Sequence, residues 1–340
     1  MARIIVLGGG HQGRVIATDL ARRHQVTVAD VRSIEIPNVR CMQVDLSDAK
    51  TLVAQIAEHE LAVGALPGNL GFKAARAAIE AKRNYVDVAF FAEDAGSLDK
   101  DAKKAKIAIL PDCGLAPGIS NLLVGRAVAQ KKRQRVLIEV GGVAAELSRP
   151  YGYVVTWSPE DLEDEFKRPA RIIRRGKVVS LPATSELEIV DIEGVGKMES
   201  FLTDGLRTLL AVKGVEEMTE KTLRWPGHVA AIMPLIKNGT FAKTLLEKCR
   251  GGLDLVVFRV RVDGETVLMT DRGRREISAM ARTTALTTAA FAHWAASGGL
   301  KDTGLVPPEK IGRDPKAYKT ILEALREHDI KLNPAFPFMD

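Results

Sequence analysis

Cysteine and aromatic residues are scarce in this sequence. Of its 340 residues three are Cys, and Phe, Trp and Tyr together make up 5%. The cysteines, Cys41, Cys113 and Cys249, have no metal-type spacing, and the six His residues form no H-x-x-x-H or H-x-H pair. A sparse, odd set of cysteines argues against a disulfide framework and fits thiols that stay reduced. We therefore expect a cytoplasmic protein without a metal site.

Long hydrophobic runs and concentrated positive charge are also missing. The most apolar helical stretch, residues 283–297, contains His293 and is shorter than the roughly 20 residues that span a bilayer. The net charge is +6, but the basic residues are scattered along the chain. We therefore expect neither a membrane nor a nucleic-acid partner, and the surplus charge suits anionic small molecules.

The first third of the sequence shows a regular alternation of strand and helix patterns. Short apolar strands separated by helical stretches predict right-handed crossovers and a doubly wound parallel sheet, which is an α/β fold of the Rossmann type. The predicted strands cover residues 3–7, 26–29, 61–66, 85–89 and 107–110, with helices over 48–58, 71–81 and 94–104.

The pattern changes after about residue 133. Residues 135–143, 152–156, 171–181, 186–193 and 253–263 are β-rich and are separated by turn signals such as Asp263-Gly264. They predict a second, α+β domain with a mixed sheet over residues 134–276, responsible for substrate binding, catalysis and oligomerisation. Helical patterns resume at residue 277, and we expect residues 277–340 to complete the first domain, 1–133. We also expect a homo-oligomer.

A glycine-rich loop follows the first predicted strand. Gly8, Gly10 and Gly13 form G-x-G-x-x-G between that strand and the first helix, and Asp30 ends the second strand 22 positions after Gly8. The glycines permit a tight turn, close approach of a pyrophosphate and close helix packing. This context predicts a dinucleotide site, whereas an isolated glycine turn would be weak evidence.

Asp30 indicates which dinucleotide binds. A carboxylate here accepts hydrogen bonds from both hydroxyls of an adenosine ribose and repels a 2′-phosphate. The sequence therefore favours NAD over NADP, although Arg32, two residues later, could soften the preference.

Four residues of the second domain are candidates for substrate chemistry. His228 follows Pro226-Gly227 and opens a predicted helix, where it either exchanges a proton or caps the helix. Arg224 either clamps a substrate carboxylate or forms a surface ion pair. Trp157 and Tyr151 either wall an apolar slot or belong to the core.

Cys113 suggests a different class of enzyme, one with a cysteine nucleophile. It follows a strand and precedes a glycine, but no histidine or helix terminus that would activate it stands nearby in the sequence. We favour a buried, inert thiol.

Several short motifs occur along the whole chain, from the glycine loop to the C-terminal region. After that loop they are Asp45-Leu46, Ala65-Leu66-Pro67, Gly114-Leu115-Ala116-Pro117-Gly118, Trp157-Ser158-Pro159, Thr222-Leu223-Arg224-Trp225-Pro226-Gly227-His228, Met280-Ala281-Arg282-Thr283-Thr284 and Val306-Pro307-Pro308-Glu309. In this order the motifs resemble those of the saccharopine dehydrogenase family, and most closely those of its lysine 6-dehydrogenases (L-lysine ε-dehydrogenases).

The resemblance also implies roles for individual residues. The cofactor would contact Gly8, Gly9, Gly10, His11, Gln12, Gly13, Asp30, Asp45, Leu46, Leu66, Pro67, Val88, Ala89 and Ser158. The substrate would contact Thr222, Leu223, Arg224, Tyr151, Trp157 and Thr240, with His228 as the catalytic residue.

The implied reaction is NAD-dependent oxidation of a CH–NH2 group of an amino acid. Saccharopine reductases carry an aspartate where this chain has Ala116, and an arginine where it has Gly205. Losing both suggests a smaller substrate with fewer charges, and L-lysine is our first choice, oxidised at its ε-amine to the semialdehyde or cyclic imine. The alternatives are a saccharopine- or carboxynorspermidine-type reductase that joins an aldehyde and an amine, with a polyamine as one partner, and a non-catalytic NAD-binding protein.

Overall fold

The computed structural model describes residues 1–130 and 132–339, and its contacts divide the chain into two units. The first consists of Met1–Arg126 and Arg282–Asp329, the second of Ala127–Ala281 and Ile330–Asp340. The end of the chain differs from our prediction, which assigned all of 277–340 to the first domain. The last residues belong to the second unit because Asn333 forms a β-bridge with Leu268, with backbone hydrogen bonds of 2.8 and 2.9 Å.

The first unit contains a seven-stranded sheet in which every pairing is parallel. The strand order is β15-β6-β5-β4-β1-β2-β3. The order reverses between β4 and β1, and ligands of open α/β sheets bind at such a reversal, beyond the carboxyl ends of the strands. The strands are β1 (Arg3–Leu7), β2 (Gln25–Asp30), β3 (Arg40–Gln43), β4 (Leu61–Gly64), β5 (Asn84–Asp87), β6 (Ala108–Leu110) and β15 (Gly304–Leu305).

The helices around this sheet bury small residues. Helix α3 places Ala74, Ala75, Ala77 and Ala78 in the core, so its backbone packs close to the strands. The helices are α1 (His11–Leu20), α2 (Ala49–Ala57), α3 (Gly68–Glu80), α4 (Asp99–Ala105), α5 (Ile119–Gln130), α9 (Ala279–Trp294), α10 (Pro308–Ile311) and α11 (Pro315–Glu327). The boundaries between the two units fall within α5 and α9. The predicted doubly wound parallel fold is confirmed.

The second unit contains an eight-stranded mixed sheet. Its main order is β10-β11-β12-β7-β13-β14, in which β12 and β7 are parallel and the other neighbours antiparallel, while β8 pairs with β12 and β9. The strands are β7 (Arg133–Ala144), β8 (Ala170–Arg174), β9 (Lys177–Leu181), β10 (Glu188–Ile192), β11 (Gly196–Leu202), β12 (Val215–Arg224), β13 (Asp254–Val262) and β14 (Glu265–Arg272). The helices are α6 (Pro159–Glu165), α7 (His228–Lys237) and α8 (Phe241–Lys248). The predicted mixed sheet is confirmed.

One predicted strand of this unit is absent. Residues 152–156 were expected to be extended, but Pro150–Gly152 form a single 3-10 turn, followed by irregular chain. Tyr151 and Gly152 have φ angles of 58° and 59°, and two successive left-handed residues cannot continue a strand.

Among the described residues, no helix combines the length and the apolar composition needed to cross a membrane.

Candidate functional site

The glycine loop lies between β1 and α1, at the reversal of the strand order. Gly8 has a φ of +97°, and a Cβ atom there would lie 2.5 Å from the carbonyl oxygen of Ala65. A Cβ atom at Gly13 would lie 1.9 Å from the carbonyl oxygen of Gly8. Both positions therefore require glycine. At Gly10, by contrast, nothing lies within 4 Å of a Cβ atom, so one side of the loop is open.

The start of α1 offers hydrogen-bond donors to that open side. Gly10 is the N-cap residue and no side chain caps the helix. The first intrahelical bond runs from the Arg14 amide to the Gly10 carbonyl oxygen, so the amides of His11, Gln12 and Gly13 precede it. Amides at the start of a helix and the positive end of the helix dipole suit the pyrophosphate of a dinucleotide, and the open side at Gly10 gives it room. The loop therefore fits such a cofactor.

Asp30, at the end of β2, is bonded to this loop. Its carboxylate accepts hydrogen bonds from the Gly9 amide at 2.7 Å, the Arg32 amide at 2.9 Å and the Arg32 Nε at 3.0 Å. Burial by itself would raise the pKa of Asp30, but these bonds lower it to about 2. The carboxylate is thus ionised and available to ribose hydroxyls, while the exposed Arg32 guanidinium beside it offers a positive charge.

The other predicted cofactor residues of the first unit lie after strands β3, β4 and β5. Asp45 is exposed and accepts a 2.8 Å bond from the Ser47 amide, whereas Leu46 is buried in the core, so only its backbone is available. Leu66 is half-buried, and its Cδ2 would lie 3.3 Å from a Cβ atom at Gly8. Pro67 is exposed and is the N-cap residue of α3. The structure thus brings Leu66, but not the side chain of Leu46, to the glycine loop.

Val88 and Ala89 follow β5 and lie next to Asp87, a buried acid that the sequence analysis did not single out. The Ala89 amide donates a 2.9 Å bond to Asp87 Oδ1, while Asp87 Oδ2 is buried and, among the described atoms, has no hydrogen-bond partner. Burial, together with the nearby charge of Asp112, raises the pKa of Asp87 to about 7.

Cys113 lies next to these acids and is fully buried. Its Sγ lies 3.5 Å from the Leu110 carbonyl oxygen and 3.6 Å from that of Pro111. Burial and the charges of Asp112 and Asp87 raise the pKa of the thiol well above its usual value. These surroundings disfavour a thiolate and therefore a nucleophilic role.

In the second unit, the predicted substrate segment is the end of β12. Side chains alternate along a strand, so Thr222 and Arg224 share one face and Leu223 lies on the other. Leu223 is fully buried in an apolar cluster with Val143 and Met198. The pleat of the strand turns the Leu223 side chain away from that of Arg224, and its role in lining the substrate pocket stays a prediction.

Arg224 is buried and its guanidinium is incompletely paired. Its Nη2 lies 3.3 Å from Glu165 Oε2, its Nη1 donates to the Leu223 carbonyl oxygen at 2.9 Å, and its Cζ lies 5.5 Å from the centre of the Tyr153 ring. Among the described atoms its Nε has no hydrogen-bond partner. Arg224 is thus not a surface ion pair, and it retains a donor for an anionic group.

His228 is the first residue of α7, as predicted, and follows Gly227, whose φ is +90°. Its Nδ1 lies 2.7 Å from the Tyr151 carbonyl oxygen, which can only accept, so Nδ1 carries the proton and Nε2 the lone pair. Burial and the charge of Arg224 lower the pKa of His228 to about 3. The imidazole is therefore a neutral hydrogen-bonding group and a poor proton acceptor near neutral pH.

The remaining predicted substrate residues, and Ser158, which was predicted to contact the cofactor, are spread more widely. Tyr151 and Trp157 are half-buried and pack against an apolar cluster that includes Tyr153 and Phe166. Ser158, also half-buried, immediately precedes α6, and its carbonyl oxygen accepts from the Leu162 amide at 3.0 Å. Thr240 is exposed before α8, and its Oγ1 bonds to the Leu235 carbonyl oxygen at 3.5 Å. We find no contact between Thr240 and the polar residues of β12 among the described contacts.

The sequence did not identify Glu220, which shares its face of β12 with Thr222 and Arg224. Glu220 is buried, and Thr203 Oγ1 lies 2.6 Å from its Oε2 and 2.8 Å from Thr222 Oγ1. A Cβ atom at Gly205 would lie 2.5 Å from Glu220 Cδ, so the carboxyl group fills the space that a side chain there would need. The signal available in the sequence was the alternation of polar residues at Glu220, Thr222 and Arg224, which places them on one face of a strand.

Glu220 is also an acid without a countercharge. Burial raises its pKa to about 8, and the charges of Glu165 and Asp204 add to the rise, although the hydrogen bond from Thr203 opposes it. Glu165 has Arg224, and Asp204 has Arg171 in a bidentate pair at 2.9 and 2.8 Å. In the part of the chain that the structure describes, no cationic side chain forms an ion pair with Glu220.

Residues 1–130 and 132–339 contain no group of three or more His, Cys, Asp or Glu residues placed to hold a metal ion.

Comparison with known proteins identifies the family. Residues 4–110 match the model of the saccharopine dehydrogenase NADP binding domain, and residues 114–330 match that of the saccharopine dehydrogenase C-terminal domain. The chain belongs to the saccharopine dehydrogenase family, which confirms the resemblance drawn from its motifs.

Curated relatives are distant and longer than this chain. The NADP(+), L-glutamate-forming saccharopine dehydrogenase of Pyricularia oryzae is 27% identical over 147 residues, 41% of this chain and 33% of that protein. Its counterpart in Schizosaccharomyces pombe is 24% identical over 205 residues, 55% and 45% respectively. The mitochondrial alpha-aminoadipic semialdehyde synthase of Bos taurus is 24% identical over 264 residues, 70% and 28%. The chain thus spans less than half the length of each.

Two solved structures share the fold over almost the whole chain. Apo saccharopine dehydrogenase (L-Glu forming) from Saccharomyces cerevisiae has a TM-score of 0.76 at 18% identity and covers 98% of this chain and 99% of its own. The homospermidine synthase of Legionella pneumophila, solved with NAD, has a TM-score of 0.70 at 14% identity, with 97% and 90% coverage. At these identities the likeness concerns the fold.

Proposed function

We propose that the protein is a nicotinamide-dependent dehydrogenase that oxidises an amine-bearing carbon of an amino acid. The substrate that we favour is L-lysine, oxidised at the carbon that bears its ε-amine. Membership of the saccharopine dehydrogenase family supports the class of reaction. The open glycine loop before α1 supports a dinucleotide cofactor. The product would be the semialdehyde or its cyclic imine.

Arg224 is the observation that carries this proposal. A buried guanidinium with an unpaired Nε–H has lost its hydration without full compensation, and a substrate carboxylate would supply the missing acceptor. Glu165, 3.3 Å from Nη2, offsets part of the charge before the substrate binds. An α-carboxylate held at Arg224 would fix one end of the amino acid, so that its amine-bearing carbon is oriented for reaction.

The bound nicotinamide would supply the hydride acceptor, and the protein side chains would orient the substrate. Neutral His228 presents its Nε2 lone pair and can accept a hydrogen bond from an N–H group. With a pKa of about 3 it does not hold a proton near neutral pH, so we assign His228 an orienting role.

For the cofactor we propose NAD. Asp30 is ionised and lies at the loop, where its carboxylate favours ribose hydroxyls over a 2′-phosphate. NADP is the less favoured alternative, supported by Arg32 beside Asp30 and by the NADP in the names of the matching domain model and relatives.

A second candidate is oxidation or formation of a dicarboxylate secondary amine of the saccharopine type. It is favoured by the matched relatives, two of which are named saccharopine dehydrogenases. Against it, Gly205 packs against a carboxyl group and Ala116 is apolar, so neither supplies a charged partner for a second dicarboxylate arm.

The deciding experiment compares L-lysine with saccharopine, each with NAD and with NADP, by the near-ultraviolet absorbance of the reduced nicotinamide. We expect the highest kcat/KM for lysine with NAD. Faster oxidation of saccharopine would replace the first candidate by the second. No reduction with any amino acid or polyamine, in a protein that binds NAD, would favour a non-catalytic NAD-binding protein.

We also infer a cytoplasmic homo-oligomer that assembles through the second unit. β10 is an edge strand of its sheet, and Ile189 on that strand is 56% exposed, which suits contact with another copy. The described cysteines are unpaired, as expected where thiols stay reduced. Light scattering of wild type and Ile189→Lys would test the assembly, which we expect the substitution to weaken.

A further inference from the structure

Three buried or half-buried acids of the second unit differ in their countercharges. Glu165 is paired with Arg224 and Asp204 with Arg171, whereas Glu220 receives hydrogen bonds but forms no ion pair among the described residues. Glu220 lies on the same face of β12 as Arg224, whose Nε–H has no hydrogen-bond partner among the described atoms. One face of β12 therefore carries both a donor that lacks an acceptor and an acid that lacks a cation.

The arrangement of these two groups suits a molecule charged at both ends. Glu220 and Arg224 are four positions apart, which separates their Cα atoms by roughly 13 Å at the usual rise of a strand. Glu165 lies near both side chains, since it pairs with Arg224 at 3.3 Å and its charge contributes to the raised pKa of Glu220. Thr222 lies between the two positions, with its hydroxyl 2.8 Å from Thr203 Oγ1. An extended amino acid with a terminal amine, laid along the strand, would meet the arginine with its carboxylate and the glutamate with its amine.

We propose that Glu220 is the anionic partner of the substrate's terminal ammonium group, so that the site selects an amino acid with one carboxylate end and one cationic end. This inference rests on the proposed function and names the feature that the substrate must have. Gly205 leaves room for this carboxyl group, because any larger residue at that position would displace the Glu220 side chain from where it lies.

Recognition of this kind has a signature that a structural carboxyl group lacks. With a pKa of about 8, Glu220 is mostly protonated at pH 7 when no cation is present. An ammonium group beside it favours the ionised form, so that binding releases the proton to solvent. The neighbouring charges, Glu165, Asp204 and Arg224, keep their own partners in this exchange.

The experiment is calorimetric titration of the protein with NADH bound, so that no turnover occurs. L-lysine is titrated at pH 7 in two buffers of different ionisation enthalpy, and L-norleucine, which lacks the terminal amine, serves as the matched probe. We expect lysine to release a large fraction of one proton and norleucine close to none. This comparison needs no variant. Lysine binding with equal heats in both buffers, or proton release by norleucine as well, would overturn the assignment.

Two variants sharpen the result. Glu220→Gln keeps the shape and can still bond to Thr203, and we expect it to abolish proton release and weaken lysine binding about tenfold or more. Asp254→Asn is the control, since Asp254 is a buried acid of the same unit with a raised pKa, but it bonds to the amides of Ala279 and Met280. We expect it to retain the proton release.

The outcomes also separate this assignment from the function on which it rests. Failure of lysine to bind at all would overturn both. Lysine binding and oxidation without proton release, or with full proton release from Glu220→Gln, would overturn the role of Glu220 alone.

Discussion

The carboxyl groups of Asp30 and Glu220 are both nearly excluded from solvent, but the protein holds them in opposite states. At Asp30, bonds from Arg32 and the Gly9 amide outweigh burial and bring the pKa to about 2. At Glu220, burial and two neighbouring acids outweigh the hydrogen bonds from the Thr203 hydroxyl and the Gly205 amide and bring the pKa to about 8. The cofactor loop thus compensates the charge of Asp30 before any ligand binds, whereas β12 leaves the charge of Glu220 to be compensated by the ligand that we propose.

The two sites also differ in how they are built. Asp30 and Gly9 belong to one strand–helix–strand unit of consecutive sequence, and most of the groups offered there are backbone amides. Glu220, Thr203 and Glu165 come from separate segments and present side chains. Ligand binding at the glycine loop should therefore be most sensitive to substitutions that add atoms. Ligand binding near Glu220 should be most sensitive to substitutions that remove charges.

The largest effect is expected from adding one methyl group to the cofactor loop. In Gly13→Ala the new Cβ atom would lie 1.9 Å from the Gly8 carbonyl oxygen, so the loop must move. We expect a loss of about 1–3 kcal/mol or more in the free energy of unfolding and no measurable NAD binding. Chemical unfolding and calorimetry provide the measurements.

Gly10→Ala is the matched control, because nothing lies within 4 Å of its Cβ position. The stability should change by about 0.5 kcal/mol or less, while NAD binding weakens because the methyl group occupies the space left for a pyrophosphate. If Gly13→Ala bound NAD like wild type, the close packing of the loop would not be what positions the cofactor.

Removing the charge of Arg224 should have the next largest effect. Arg224→Ala leaves a carboxylate substrate without its buried partner, and we expect kcat/KM to fall about 100-fold or more, from a loss of roughly 2–5 kcal/mol. Arg224→Lys should recover part of the activity, because it keeps the charge without the planar fork.

The dissociation constant for NAD should stay unchanged in both Arg224 variants. Steady-state kinetics and NAD titration measure the two quantities separately. Equal loss of NAD affinity in Arg224→Ala would show that this residue supports the protein as a whole.

A smaller and more selective change is expected at Asp30. Asp30→Ala removes a charge-assisted hydrogen bond worth roughly 1.5–3 kcal/mol, so NAD should bind about tenfold or more weakly. NADP affinity should hold or rise, because Arg32 loses its 3.0 Å partner and can turn to a 2′-phosphate. The double variant Asp30→Ala/Arg32→Ala should lose that gain. A wild-type protein that bound NADP tenfold more tightly than NAD would refute the assignment to Asp30.

The effect of His228 should appear in the pH dependence of stability. Its pKa is about 3 in the folded protein, whereas an exposed histidine has a pKa of 6.5, so the folded state disfavours the charged ring. Its contribution to stability is complete above pH 6.5 and is lost as the pH falls from 6.5 towards 3, by up to about 1.4 kcal/mol per pH unit. His228→Asn should reduce that slope. An unchanged slope between pH 6 and 4 would contradict the buried neutral histidine.

Cys113 should give the smallest effect. The thiol is fully buried and its pKa is raised, so Cys113→Ser removes no thiolate chemistry and should keep most of the turnover. Turnover and NAD binding are measured on the same preparation. Complete loss of activity in a folded variant that binds NAD would move the mechanism to covalent catalysis.

Much of the cofactor domain could be predicted from the sequence because its signals are local. The apolar run of β1 was predicted with the bounds that the structure shows, Arg3–Leu7, and α7 begins at His228 as the Pro226-Gly227 signal indicated. In the second domain the prediction failed where tertiary contacts override local pattern. Residues 152–156 look extended, but Gly152 is the second of two successive left-handed residues. The prediction missed β11 because its polar residues Glu199 and Ser200 are buried inside the second unit, where the first accepts from backbone amides and the second donates to Glu139.

What the sequence by itself determined is the parallel α/β domain, the position of the dinucleotide loop and, through motifs, the family. These depend on hydrophobic periodicity and on glycines that lie next to one another in the chain. The charge states of Glu220, His228 and Asp87, the turning of Leu223 into the core and the incomplete pairing of Arg224 were decided by the tertiary structure. Burial and countercharge are properties of surroundings, and those surroundings come from residues that are distant in sequence and become neighbours when the chain folds.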